Sequence, residues 1–131
     1  MKTYSEVEVF TPGELLALKE AKRIVRHFPT RDRQGRWVRC HEVARIVGAV
    51  LGLPVQDGHY GMMEHSWLWT APCVHMGVAP NVLDCYVPGR APAVQLVASA
   101  TGWGYRSASA KRRDVRPSVM EELYQRLKGR G

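Results

Sequence analysis

Apolar residues recur at helical spacing in three stretches of the chain and alternate with polar ones in short runs between them, a pattern that predicts an α+β order. Residues 4 to 10 alternate and read as a strand. In "TPGE", Thr11 stands as N-cap, Pro12 at the first helical position and Glu14 where a capping box closes, so a helix is expected to about His27. The polar segment "PTRDRQGR", residues 29 to 36, should be rich in turns. Val43, Ile46, Val47, Val50 and Leu51 then form the apolar stripe of a second, buried helix that Gly52 and Pro54 end. Residues 55 to 60, 65 to 70 and 81 to 87 read as short strands, with "APCVHMGVAP" joining the last two. "PAVQLVAS", residues 92 to 99, fits either a helix or a strand. From Pro117 to Lys128 a closing helix places Val119, Leu123, Tyr124 and Leu127 on one face.

The 131 residues suit a single domain built on one core. No apolar run approaches the roughly 18 residues of a membrane-spanning helix, and no membrane partner is expected. The start "MKTYSEVEVF" lacks the apolar block of a secretory signal, so a cytoplasmic location is expected. Three irregularly spaced cysteines, Cys40, Cys73 and Cys85, fit free thiols rather than a disulfide framework.

Charge divides the chain unevenly. Residues 1 to 39 carry a net +4, residues 40 to 105 a net −2 and residues 106 to 131 a net +5. An anionic partner should therefore meet the ends, the basic C-terminal segment above all, and not the middle that holds most of the histidines and cysteines. "SASAKRRDVR" has no interleaved aromatics, which favours a solvated basic surface over a dedicated nucleic-acid face.

Candidate chemistry centres on Cys40, at the start of the second helix and three residues before Val43. Unpaired N–H groups and the helix dipole favour thiolate at that position, although an ordinary buried cysteine is the commoner use of the residue. His65, Trp67 and Trp69 share one strand face, and Val82, Asp84 and Tyr86 share another. In an antiparallel pair with 67 opposite 82, His65 lies opposite Asp84. A carboxylate on one imidazole nitrogen fixes the tautomer and leaves the other nitrogen to take a proton from a thiol.

In order and spacing, "RCHEVARIVGAVLGLPVQDGHYG", "HSWLW" and "NVLDCY" resemble the nucleophile helix, histidine strand and aspartate strand of the transglutaminase-like branch of papain-like cysteine enzymes. The likeness covers about residues 34 to 87. It implies Cys40 as nucleophile, His65 as general base and acid, Asp84 as the orienting carboxylate, and a papain-like fold of N-terminal helices packed on a small antiparallel sheet. It also implies chemistry with no metal or other cofactor. Gln34 stands six residues before Cys40, the spacing at which papain-type enzymes place an oxyanion-hole glutamine, while "QGRWVRC" otherwise departs from their pattern.

Other residues have the chemistry to act beside these. His41 adjoins Cys40, but successive helical residues diverge by about 100°, which argues against it as the base and for a polar residue behind the reacting groups. His59, Cys73, His75 and Cys85 could suggest zinc, yet "CVH" lacks the usual ligand spacing, and the zinc deaminase signature fails on both of its spacings. Trp67 fits a core or cleft wall. His59 and Tyr60, in "DGHYG", are candidates to touch substrate together with Trp67.

The expected function is acyl transfer from a peptide or protein amide through a Cys40, His65 and Asp84 triad. Water as acceptor makes a protease or glutamine deamidase, and an amine makes a transglutaminase. The shortness of the chain favours the first two. The alternatives are a basic nucleic-acid-binding or accessory protein, and an inactive relative of the enzymes used as a binding module.

Overall fold

The computed structural model describes residues 10–70, 81–87, 93–98 and 104–129. The strand expected at residues 4 to 10 and the "APCVHMGVAP" connection fall outside these, apart from Phe10, which is buried. The described residues form three helices and a five-stranded antiparallel sheet, an α+β arrangement. Helix α1 spans Pro12–Val25, α2 Cys40–Leu51 and α3 Pro117–Gly129. The strands are β1 Val55–Tyr60, β2 Met63–Trp69, β3 Val82–Asp84, β4 Gln95–Val97 and β5 Tyr105–Ser107, in the order β4-β3-β2-β1-β5. No described helix is long and apolar enough to cross a membrane.

The capping box at α1 forms as its residues dictate. The Thr11 N–H donates to Glu14 Oε1 at 2.7 Å, and the Glu14 N–H donates to Thr11 Oγ1 at 3.1 Å. The second oxygen of Glu14 accepts from Thr70 Oγ1 at 2.6 Å and Asn81 Nδ2 at 2.8 Å, so one buried carboxylate joins the helix start to the ends of β2 and β3. Helix α2 ends where Gly52 takes the left-handed conformation, φ 72°. Its stripe buries Val43, Ile46 and Val47, but Val50 is 48% exposed, contrary to the periodicity. Ile46, one turn earlier, borders α3 at a hollow lined by Pro117, Met120, Glu121 and Tyr124, and Val50 does not line it. In α3 itself Val119 and Leu123 are fully buried and Leu127 packs against the core, whereas Tyr124, at the stripe's edge, is exposed.

Residues Gly61 and Met62 make the turn between β1 and β2, with Gly61 at φ 61°. Strand β2 pairs with β3 so that Leu68 opposes Leu83 and Trp69 opposes Val82. The expected register, 67 opposite 82, is therefore wrong by two residues. Because side chains alternate with period two, a slip of two keeps every residue on its face, and His65 meets Asp84 on the diagonal instead of directly across. Strand β3 is also shorter than expected. Its Asp84 turns Oδ1 back to accept from the Tyr86 N–H at 3.1 Å, an Asx-type turn that ends the strand. Within the ambiguous "PAVQLVAS", Gln95–Val97 form the strand β4, at an edge of the sheet among the described residues.

One sheet face carries Ser66, Leu68 and Leu83 toward the helices, where Leu68 and Leu83 join Ala21, Ile24, Val43, Val47, Val119 and Leu123 in the core. The other carries His65, Trp67, Tyr60, Tyr105 and Asp84. The sheet curls over this second face, bringing Tyr105 of the edge strand β5 to Asp84 of β3. Gly58 permits the curl. A Cβ there would collide with the Arg106 carbonyl oxygen and lie 2.7 Å from the Trp67 ring.

Candidate active site

Cys40 is the first residue of α2 and lies half-buried in a cleft of about 320 Å³. Trp37, Val38, Met63 and Tyr86 supply apolar walls, and His41, Glu64 and His65 supply polar ones. Trp37 is 57% exposed, with the Arg31 guanidinium stacked 3.8 Å from its ring centroid. A larger surface hollow of about 670 Å³ runs along α1, but Leu15, Leu18 and charged side chains of that one helix line it and no nucleophile faces it. The smaller cleft holds the candidate residues Cys40 and His65.

His65 is 2% exposed and Asp84 is fully buried. His65 Nε2 lies 2.8 Å from Asp84 Oδ2, and the Tyr105 hydroxyl donates to the same oxygen at 2.6 Å. With the Tyr86 N–H on Oδ1, the carboxylate accepts three hydrogen bonds. Asp84 can only accept, so Nε2 carries the proton and the other ring nitrogen is left for the thiol. Trp67 and Tyr105 shield the pair, with ring centroids 6.1 Å from that of His65.

These contacts set the charges. Burial opposes ionisation of Cys40, but hydrogen bonding and charge from His41 and His65 outweigh it and bring the thiol down to about 6. Burial likewise disfavours the His65 imidazolium, but Asp84 and then Cys40 more than reverse this and raise it to about 9. Between those values a thiolate faces an imidazolium. Cys85, buried on the opposite pleat beside Asp84, is pushed far above the ordinary thiol range by burial.

The structure brings Cys40, His65 and Asp84 together and leaves other candidates outside. Gln34 is exposed in the turn that Asp32 organises by accepting from the Gln34 and Arg36 N–H groups, and it does not line the cleft. Trp67 has no exposed surface to offer a substrate, and its indole N–H is buried without a partner among the described residues. Tyr60 packs edge-on against Tyr105, centroids 4.8 Å apart, and supports the site from behind. His59 alternates to the other face of β1, opposite Glu64 and Arg106. Cys73 and His75 lie outside the described residues. Among the described residues, no group of three or more His, Cys, Asp or Glu side chains is placed to hold a metal ion. In the basic C-terminal segment Arg112 pairs with Glu64 and Asp114, and Arg116 with Glu42, while Lys111 and Arg113 are exposed.

The sequence pattern points to neither Tyr105 nor Glu42, and it gives His41 only as a polar neighbour of the site. His41 lies against the thiol, its Nδ1 3.6 Å and its Nε2 3.9 Å from Sγ. Its Nδ1 lies 2.7 Å from Ser66 Oγ, and Ser66 donates to Asp57. Tyr105 reaches Asp84, and Glu42 anchors the helix start beneath Cys40. The signal for the Ser66 and Asp57 pair was present in "DGHYGMMEHS", since a two-residue turn at Gly61 and Met62 sets 57 opposite 66. No protein-family model, curated protein or solved structure matches this chain.

Proposed function

We propose that this chain is a thiol enzyme that acts on a peptide or protein amide through a covalent acyl intermediate on Cys40. The observation that supports this most is a half-exposed thiol at a helix N-terminus whose partner imidazole is held on its far nitrogen by a buried carboxylate. The Cys40 thiolate attacks the amide carbon, and the oxyanion that forms faces the N–H groups of Cys40 and His41, which precede the first backbone donors of α2, Glu42 and Val43. His65 gives its proton to the leaving nitrogen as the C–N bond breaks. Water then attacks the thioester, His65 takes a water proton, and the C–S bond breaks to release the acid and restore the thiolate. The order Cys40, His65, Asp84 on one helix and two antiparallel strands is what the transglutaminase-like branch of papain-like enzymes leads one to expect. Hydrolysis or deamidation needs only water, which the open cleft admits; an amine in its place gives transamidation.

Labelling tests the nucleophile without knowledge of the substrate. Limiting iodoacetamide at pH 6 should alkylate mainly Cys40, with Cys85 untouched, and His65→Ala should slow it. With a thiol titrating at about 6, half of Cys40 is thiolate at that pH. An ordinary cysteine offers about 150-fold less thiolate, and its higher intrinsic nucleophilicity returns about a factor of ten, so a net advantage of about tenfold is expected. Peptide mapping reads the result. A peptide mixture should then show cleavage or conversion of side-chain amide to acid with the wild type and none with Cys40→Ala. Cys40 labelling no faster than that of an ordinary thiol would refute the proposal.

A further inference from the structure

We propose that His41 is a second catalytic imidazole at Cys40, holding the sulfur as thiolate from the helix side of the sheet through a relay of its own formed by Ser66, Asp57 and Arg45. The inference rests on reading Cys40 as the nucleophile and assigns the site a group beyond the triad.

Nearly equal distances of 3.6 and 3.9 Å from Sγ to the two ring nitrogens set the sulfur against the ring rather than in line with one N–H. The ring is held in that pose. His41 is 4% exposed, and its Nδ1 lies 2.7 Å from Ser66 Oγ. Ser66 has one proton, which goes to Asp57 Oδ1 at 2.5 Å because a carboxylate can only accept. Ser66 can then only accept from the imidazole, so Nδ1 carries hydrogen and the tautomer of His41 is determined. Asp57 is in turn bound by Arg45 at 2.6 Å and by the Arg112 N–H at 3.0 Å. Burial raises its carboxyl, but Arg45, Ser66 and Arg112 outweigh burial and hold it at about 2, so the relay ends in a carboxylate across the working range.

The two relays run on opposite faces of one sheet and meet at the thiol. They differ in charge. Among the described residues Asp84 faces His65 with only neutral donors beside it, whereas the charge of Asp57 is already compensated by Arg45. His65 therefore faces the thiol as the charged partner, while the hydrogen on His41 Nδ1 puts the positive end of that ring on the nitrogen nearer the sulfur, 3.6 Å against 3.9 Å for Nε2. Other groups around the thiol are Glu64 on β2, Tyr86 just past β3, Arg39 before α2 and Arg112 beside Glu64.

The test is the pH profile of Cys40 alkylation in wild type, His41→Asn and Ser66→Ala. Asparagine keeps an N–H donor for Ser66 while removing the ring, and Ser66 does not touch the sulfur, so a shift in the second variant acts only through His41. The midpoint should rise by about one pH unit in His41→Asn and by less in Ser66→Ala. Thermal unfolding monitors the fold, and if His41→Asn does not fold, Ser66→Ala decides alone. A low wild-type midpoint that neither variant moves would overturn the role of His41 and leave the Cys40 and His65 reading intact. A wild-type midpoint at the ordinary cysteine value would overturn both.

Discussion

Exchange of Asp84 for asparagine should lower amide turnover by on the order of 10³ to 10⁴-fold while the fold survives. The size of the effect follows from the three donors that Asp84 accepts. One of them, the Tyr86 N–H, is backbone and cannot change its role, so the asparagine oxygen is held at that position. The amide nitrogen then faces His65 and Tyr105, both of which can turn from donor to acceptor. His65 responds by moving its proton to the nitrogen that should face the thiol, and the base is lost. Removal of the carboxylate charge also takes away the largest influence raising His65. Turnover of whichever amide the wild type converts, with Cys40 alkylation at pH 6 as the substrate-free measure, checks this result. Undiminished activity would remove Asp84 from the mechanism.

The second large effect concerns stability. Glu42 is fully buried beneath the start of α2 and accepts from Arg39 and Arg116, whose side chains are 33% and 25% exposed. Removing one partner of a buried ion pair costs about 3 to 5 kcal/mol, and partial hydration of both arginines lowers that to about 2 to 3 kcal/mol for Glu42→Gln. For a chain of this length Tm should fall by roughly 10 °C. Burial raises the Glu42 carboxyl, but Arg116 and Arg39 outweigh burial and hold it at about 2. A depressed carboxyl stabilises the fold above its unfolded value of about 4.3, and that contribution disappears as pH falls from there to about 2. Wild type should lose stability through this window, and Glu42→Gln should lose less. Equal melting of the two proteins near neutral pH would dismiss the effect. Because Arg116 also donates to the Trp37 carbonyl at 2.6 Å, the variant should loosen one lip of the cleft as well.

Much of this was legible in local sequence. Thr11 and Glu14 announce the first helix, and Gly52 with Pro54 announces the end of the second, because caps act over three or four residues. Cys40 could be placed at a helix start because it stands three residues before Val43, where the apolar stripe begins. The His65 and Asp84 pair survived a register error because alternation, not register, decides which face a side chain takes. What was hidden depends on distance along the chain or on rotamers. Tyr105 is 21 residues from Asp84 and reaches it only because the sheet curls, and Arg116 is 74 residues from Glu42. His41 was set aside by a rule about the directions of Cβ atoms, which does not govern where a sulfur in the first turn can rotate. Six residues between Gln34 and Cys40 say nothing of which way the intervening turn faces, and Asp32 turns it to solvent.

Tyr105 belongs to a strand of three residues that, among the described residues, is paired on one side only, at the margin of the sheet. Such margins fray at a free-energy cost well below that of global unfolding. Each fraying event withdraws the Tyr105 hydroxyl from Asp84 and lets water reach the carboxylate that orients His65. On the proposed mechanism, the fraction of molecules able to turn over should then follow this local opening equilibrium rather than overall stability. Better packing of the helical core should raise Tm without raising activity, whereas hydrogen exchange at Tyr105–Ser107 should rise, and thiol reactivity fall, together at denaturant concentrations where the helices remain intact.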